Sequence, residues 1–183
     1  MIQAGTHRFG PDNATLSVRT RRGGAAAKAG HDLVIHVTAW EGTLEVGEDA
    51  ASTNAQLTAD ATSLRVREGT GGIQSLGDHD KANIEQTIDD EVLKRRDIAF
   101  RSTRVEGDDD GRLLSMEGEL TLSGRTEPIA LDLTFADDGT PSARVTVTQT
   151  RWGMKPYSAL FGTLKVLDEV EVVLEGHPQA QSR

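Results

Sequence analysis

An antiparallel all-β domain, a barrel or sandwich with one short helical insertion, is the fold that this sequence predicts. Three observations lead there. The segment Leu114 to Phe135 is written as two alternating arms around a short turn. Alternating apolar runs recur along the rest of the chain, separated by turns rich in acidic residues and glycine. Only one segment reads as helix: His79 to Lys94 is free of Gly and Pro, with Ile84, Ile88, Val92 and Leu93 on one side. Short strands at regular spacing with a lone helix are the pattern of a closed or layered sheet.

In chain order, Leu16 and Val18 mark an opening strand. Leu33 to Val46 is a long strand region with a bend expected near Glu41-Gly42. Gln56 to Val66 follows, with Leu57, Ala59 and Ala61 on its apolar face. Asp78 or Asp80 is placed to cap the helix, and Asp89-Asp90 is expected to break it, the second piece running from Asp90 to Arg95. After a strand at Ile98 to Val105, Glu106–Gly111 reads as a hairpin loop. The long hairpin then puts Leu114, Met116, Gly118, Leu120 and Leu122 on one face of its first arm. Ile129, Leu131, Leu133 and Phe135 share a face of the second, as period-two alternation requires. Asp137–Pro141 is a further turn. Ala143, Val145 and Val147 alternate with polar residues, and Leu164, Val166, Val170, Val172 and Leu174 close the pattern. Residues 1–176 form one domain on this reading, and 177–183, which lack apolar residues for docking, form a disordered tail.

The bulk numbers narrow the function. A chain of 183 residues buries enough surface to need no staples, and it has no cysteine, which excludes disulfides, thiolate metal sites and cysteine nucleophiles. The net charge of −9 argues against nucleic acid or an anionic membrane surface as partner, because both demand a basic footprint. No apolar run approaches the length of about 18 residues that a membrane-spanning helix needs. Nor is there a basic start followed by an apolar stretch, so the expectation is a cytoplasmic protein, or an exported one if the chain is a processed form.

Candidate chemistry is sparse. His31 and His36 are an odd number of residues apart and so face opposite sides of one strand. Asp32 and His36 share a face but lie roughly 13 Å apart, too far to hold one ion without a bend. His79 and Asp80 could each offer one ligand near the helix start. The reading is that no metal is bound. No strand-turn serine motif of nucleophilic catalysis is present, and no catalytic residue is assigned. Gly69-Thr-Gly-Gly72 is read as a flexible loop, with a phosphate cradle as the sharper alternative. The Ala143, Val145, Val147 face, continued by twos, brings Gln149 and Arg151 inward, unless the strand twists first and leaves Arg151 in water. Trp152-Gly-Met-Lys-Pro-Tyr-Ser-Ala-Leu-Phe-Gly162 concentrates large apolar side chains in a connection that either lids a cavity or plugs it.

Gly118-Glu-Leu-Thr-Leu-Ser-Gly-Arg-Thr-Glu-Pro-Ile-Ala-Leu131 resembles the central hairpin of the YceI-like family, lipocalin-like barrels associated with polyisoprenoid binding. Trp152-Gly-Met and Leu167–Leu174 are similar to the family's aromatic-Gly turn and last strand. Ala61–Leu64, Asp80–Ile84 and Asp97–Phe100 follow its strand, helix and strand in order. Two departures stand out: Gln149 and Arg151 replace an Arg and an Asp before the turn, and His79-Asp80 replaces an Arg-Asp pair at the helix. The resemblance implies a lipocalin-like up-and-down barrel of about eight strands, often a homodimer, with an elongated apolar interior for an isoprenoid or other lipid-like molecule. No other cofactor is implied.

The resulting expectation is a binding protein rather than an enzyme, carrying or sequestering a hydrophobic ligand. Its wall residues are Leu33, Ile35, Trp40, Leu120, Leu122, Ile129, Leu131, Phe135, Val145 and Val147. Ile84 and Ile88 join from the helix, and Arg151, Trp152, Met154, Tyr157 and Phe161 from the mouth. Two rivals remain at this stage. One is an acid–base enzyme in the same barrel using Arg151, Tyr157, His31 and His36, and the other is a haem barrel with His31 or His36 as axial ligand.

Overall fold

The computed structural model describes residues 3–159, 162 and 164–177. Its strands are β1 Gly5–Phe9, β2 Ala14–Thr20, β3 Arg22–Gly23, β4 His31–Val37, β5 Trp40–Val46, β6 Asn54–Ala59 and β7 Leu64–Gly71. They continue with β8 Ile98–Gly107, β9 Leu113–Leu122, β10 Arg125–Phe135, β11 Pro141–Thr148, β12 Ser158–Ala159, β13 Leu164–Val166 and β14 Glu169–Gly176. Helix α1, Asp78–Thr87, lies between β7 and β8. Eleven strands form one antiparallel sheet in the order β1-β5-β6-β8-β9-β10-β11-β14-β2-β4-β7, and β12, β13 and β3 form a small second one. Because β4 and β5 are separated only by Thr38 and Ala39 yet stand near opposite ends of that order, the sheet curls back on itself.

Eleven strands replace the expected eight or so, for a local reason. Three long extended stretches bend and are each cut in two: β1 from β2 at Gly10–Asn13, β4 from β5 at Thr38-Ala39, and β6 from β7 at Asp60–Ser63. The last two bend together. The Thr38 N–H donates to the Ser63 carbonyl (2.9 Å) and the Asp60 N–H to the Ala39 carbonyl (3.0 Å). The Asp60 carboxylate accepts from the Thr62 N–H and hydroxyl, both at 2.8 Å, which fixes the turn and holds its pKa below the ordinary carboxylate range. The bend expected at Glu41-Gly42 is therefore displaced to Thr38-Ala39, and the single strand Gln56–Val66 is two.

The β9–β10 hairpin follows its alternation. Ser123 and Gly124 take φ of +49° and +80°, the left-handed pair that a two-residue hairpin turn requires. Gly118 is needed for space: a Cβ there would lie 2.5 Å from the Phe100 ring. Helix α1 is capped by Asp80, whose carboxylate accepts the Gly77 N–H at 3.0 Å. It loosens into a π turn over Ile88–Val92, with the Leu93 N–H reaching the Ile88 carbonyl at 2.9 Å. The break thus begins at Ile88, and the second piece is Ile88–Val92 rather than Asp90–Arg95.

Two apolar clusters share the interior. The smaller packs Leu44, Val105, Leu114, Met116, Leu133 and Phe135 into a filled core at the end of the sheet next to the β8–β9 and β10–β11 turns. The larger surrounds open space. At the C-terminal end, His177 is held by its N–H to the Asn13 carbonyl and its ring to the Thr15 hydroxyl, both at 2.8 Å. The rest of the expected tail, 178–183, lies outside the described residues. Among the described residues no helix is long and apolar enough to cross a membrane.

Candidate functional site

The open space is a cavity of about 930 Å³ enclosed by the curled sheet and closed on one side by α1 and its π turn. Alternation explains its walls, since every second residue of an antiparallel strand faces inward. β4 and β5 contribute Leu33, Ile35 and Trp40. β9 and β10 contribute Leu120, Leu122, Ile129 and Leu131, and β11 contributes Val145 and Val147. Ile84 and Ile88 form the helical side, Met154 and Tyr157 stand at the mouth, and Leu44, Met116 and Leu133 of the filled core make the floor.

Three of the expected wall residues lie elsewhere. Phe135 is buried in the filled core beyond the floor. Trp152 is 2% exposed and donates its indole N–H to the Leu120 carbonyl (2.7 Å), which wedges it beneath the wall rather than on its surface. Arg151 is exposed, because β11 ends at Thr148 and a 3-10 turn over Gln149–Trp152 rotates it outward. There its guanidinium donates to the Pro128 carbonyl at 3.0 Å and lies 5.2 Å from the centre of the Trp152 ring. Gln149 does face inward, with its amide donating to the Leu167 carbonyl at 3.1 Å. Phe161 lies outside the described residues.

Polar groups gather at one end. Arg22 is fixed by its guanidinium, which donates to the Gly30 carbonyl (2.5 Å), and by its backbone N–H, which donates to Asp32 (2.8 Å). His31 donates from Nε2 to the Gln74 carbonyl (2.7 Å), an assignment made from the partner, which can only accept. Lys165 and Asp80 complete the rim. The glycine run beside them is no loose loop: β7 extends to Gly71. Gly71 and Gly72 have positive φ, and a Cβ on either would strike Arg22 or His31. Arg22, Gln74 and Lys165 escaped the sequence reading. Arg22 is placed by the β3–β13 pairing, Lys165↔Gly23 and Val166↔Arg22, a contact between residues far apart in the chain with no local signature.

The four groups of the acid–base alternative do not converge. His31 and Tyr157 border the cavity, whereas Arg151 and His36 are outside it. His36 is on the outer face of β4, where partial burial and then the Arg67 charge push its imidazole pKa down. For a haem group the fit is equally poor, since His36 faces away and His31 spends Nε2 on a backbone carbonyl. Among the described residues no group of three His, Asp or Glu side chains is arranged to hold a metal ion.

The family model described as the YceI-like domain matches residues 11–177. Among solved structures, BcnA of Burkholderia cenocepacia superposes with a TM-score of 0.65 at 18% identity, covering 89% of this chain and 94% of that one. A polyisoprenoid binding domain from Saccharophagus degradans, implicated in plant cell wall breakdown, gives 0.57 at 12% identity, covering 96% and 100%. These likenesses are of fold. No curated protein matches the chain.

Proposed function

This chain belongs to the YceI-like family, and on that footing we propose that it binds a hydrophobic or amphiphilic molecule, isoprenoid- or lipid-like, in the cavity, and carries or sequesters it unchanged. The observation that supports the reading best is the cavity itself. About 930 Å³ of space walled mainly by Leu, Ile and Val lies in the range of small-molecule sites, and its charged groups, Arg22, Asp80 and Lys165 with His31, gather at one end. An amphiphile fits that division. Its chain would lie among Ile35, Leu120, Ile129 and Val147, and a hydrogen-bond-accepting head would meet Arg22 and Lys165. The Saccharophagus domain is named for polyisoprenoid binding, which agrees with an isoprenoid chain as cargo.

Native mass spectrometry of the purified protein, followed by solvent extraction, tests this. The expected result is one prenyl or acyl compound per chain, or uptake of one added prenyl alcohol by an empty preparation. Leu120→Arg should abolish that uptake while leaving the circular dichroism spectrum of the sheet intact. A parent protein that arrives empty and takes up no prenyl or acyl compound overturns the proposal.

A further inference from the structure

The wall of the cavity has a seam. β10 runs beside β11, yet the two are paired only at Leu133↔Ala143, Thr134↔Ser142 and Phe135↔Pro141. Continued at the same register, Asp132 would face Arg144 and Ala130 would face Thr146, but the ladder stops short of both. Fraying is not the cause. On its other side β10 stays paired with β9 as far as Arg125↔Leu122, and β11 stays paired with β14 as far as Thr148↔Glu169. The Phe135 N–H donates to the Arg112 carbonyl on the β9 side, so Thr134, Asp132, Ala130 and Pro128 turn their backbone groups toward β11. Pro128 has no N–H to offer there, as expected of a strand with an open edge. Its carbonyl is taken by Arg151, which ties the far end of the seam.

A groove of about 490 Å³ on the outer face of the sheet runs from Arg104 and Glu106 of β8 and Ser115 and Glu117 of β9 to this gap, where Ala130, Asp132, Arg144 and Thr146 border it. Met116, Leu131 and Val145 line both the groove and the cavity, so a single layer of side chains separates them. We propose that the β10–β11 seam is a lateral portal through which the apolar chain of the ligand enters and leaves the cavity, with the Arg151–Pro128 hydrogen bond as its latch. The proposal rests on the binding reading above. Beyond the Leu133↔Ala143 pair the two strands share no ladder, so these segments part without breaking one, and an apolar chain crossing there would slide over Leu131 and Val145.

The chain has no cysteine, so a pair introduced across the seam is unique. Ala130→Cys with Thr146→Cys, joined as a disulfide or through dibromobimane, staples the gap. Thr146→Cys with Glu171→Cys places the same staple across the paired β11–β14 ladder. Loading and release of anthraniloyl-geranylgeraniol are followed by stopped-flow fluorescence. The seam staple should slow both rates about tenfold or more with the Kd held within about twofold, because a blocked route changes kinetics and not affinity, and the control staple should change neither. Ala130→Trp, which fills the groove without a cross-link, should also slow loading. A seam-stapled or tryptophan-filled protein that loads at the parent's rate overturns the portal and leaves binding intact. A parent that never takes up the probe overturns the binding reading and the portal with it.

Discussion

Among the described residues the sheet runs out of partners at its end strands β1 and β7 and along the β10–β11 seam, and β7 and the seam are treated differently. At β7 the free edge is covered. Helix α1 lies along it, the Glu85 carboxylate accepts the Val66 N–H at 2.9 Å, and Ile84, Ile88 and Leu93 turn apolar surface to the interior. At the β10–β11 seam no described helix crosses, Ala130, Asp132, Arg144 and Thr146 border the gap, and Arg151 caps the Pro128 carbonyl. An unpaired edge becomes solid wall when an amphipathic element packs over it and its backbone donors find acceptors. Without that cover it stays a line of weakness.

The largest effect should come from thinning the covered side. Leu93, 6% exposed in the main cluster, anchors the end of the π turn against the interior. Leu93→Ala should lower unfolding stability by about 3 kcal/mol, from lost burial and the space left behind, as read by urea denaturation. A loss below about 1 kcal/mol would mean the helix is dispensable as wall, and the contrast between the two edges would fail.

Next comes the edge bond. Glu85→Ala leaves the Val66 N–H without its acceptor and should cost about 1–2 kcal/mol, with faster amide exchange at Val66. Glu85→Gln retains an oxygen acceptor and should recover most of the loss. Equal loss in both variants would assign the effect to the Arg65 ion pair at 4.0 Å instead.

Smaller still is the seam latch. Arg151 is exposed, and Arg151→Ala should cost only about 0.5 kcal/mol by denaturation. Release of a bound prenyl probe should nevertheless quicken severalfold. An unchanged release rate would show that the seam is already free without the latch.

Legibility in the sequence divides along the same line. The β9–β10 hairpin and the helix were readable because each writes its geometry in local periodicity, two in one case and near four in the other. Most of the cavity wall follows from that alone, Leu120, Leu122, Ile129, Leu131, Val145 and Val147 among it. Of the two alternatives for Arg151 the exposed one holds, because extrapolation by twos needs a continuing strand and β11 turns into a 3-10 helix at Gln149. The bends at Thr38-Ala39 and Asp60–Ser63 depend on hydrogen bonds between residues more than twenty positions apart, which leave no local pattern. The seam did have a signal. Pro128 in the middle of a long strand already marks an edge, but a single arm of a hairpin does not say which neighbour is missing.

The finest contrast is in pH. Asp89, in the helical cover, has its carboxyl pushed up by burial, with Arg95 and Arg65 only partly offsetting this and one oxygen left without a partner. Asp138, in the β10–β11 turn, is held below the ordinary range by the hydroxyl and N–H of Thr140. The signs oppose. A carboxyl with a raised folded pKa weakens the fold when ionised, and that penalty is relieved as pH falls through the raised value. A carboxyl with a depressed folded pKa stabilises the fold above its unfolded value, and that support is lost as pH falls through the depressed one. Mild acid should therefore tighten the cover first, and stronger acid should then loosen the turn at the head of the seam. Hydrogen exchange between neutral pH and the carboxylate range, corrected for intrinsic rates, should show protection rising at Leu93 and Arg96 before it falls at Thr140. Asp89→Asn should remove the first change and leave the second. If exchange at both sites moved in the same direction, a global change in stability would account for it, and the two edges would not be separable by pH.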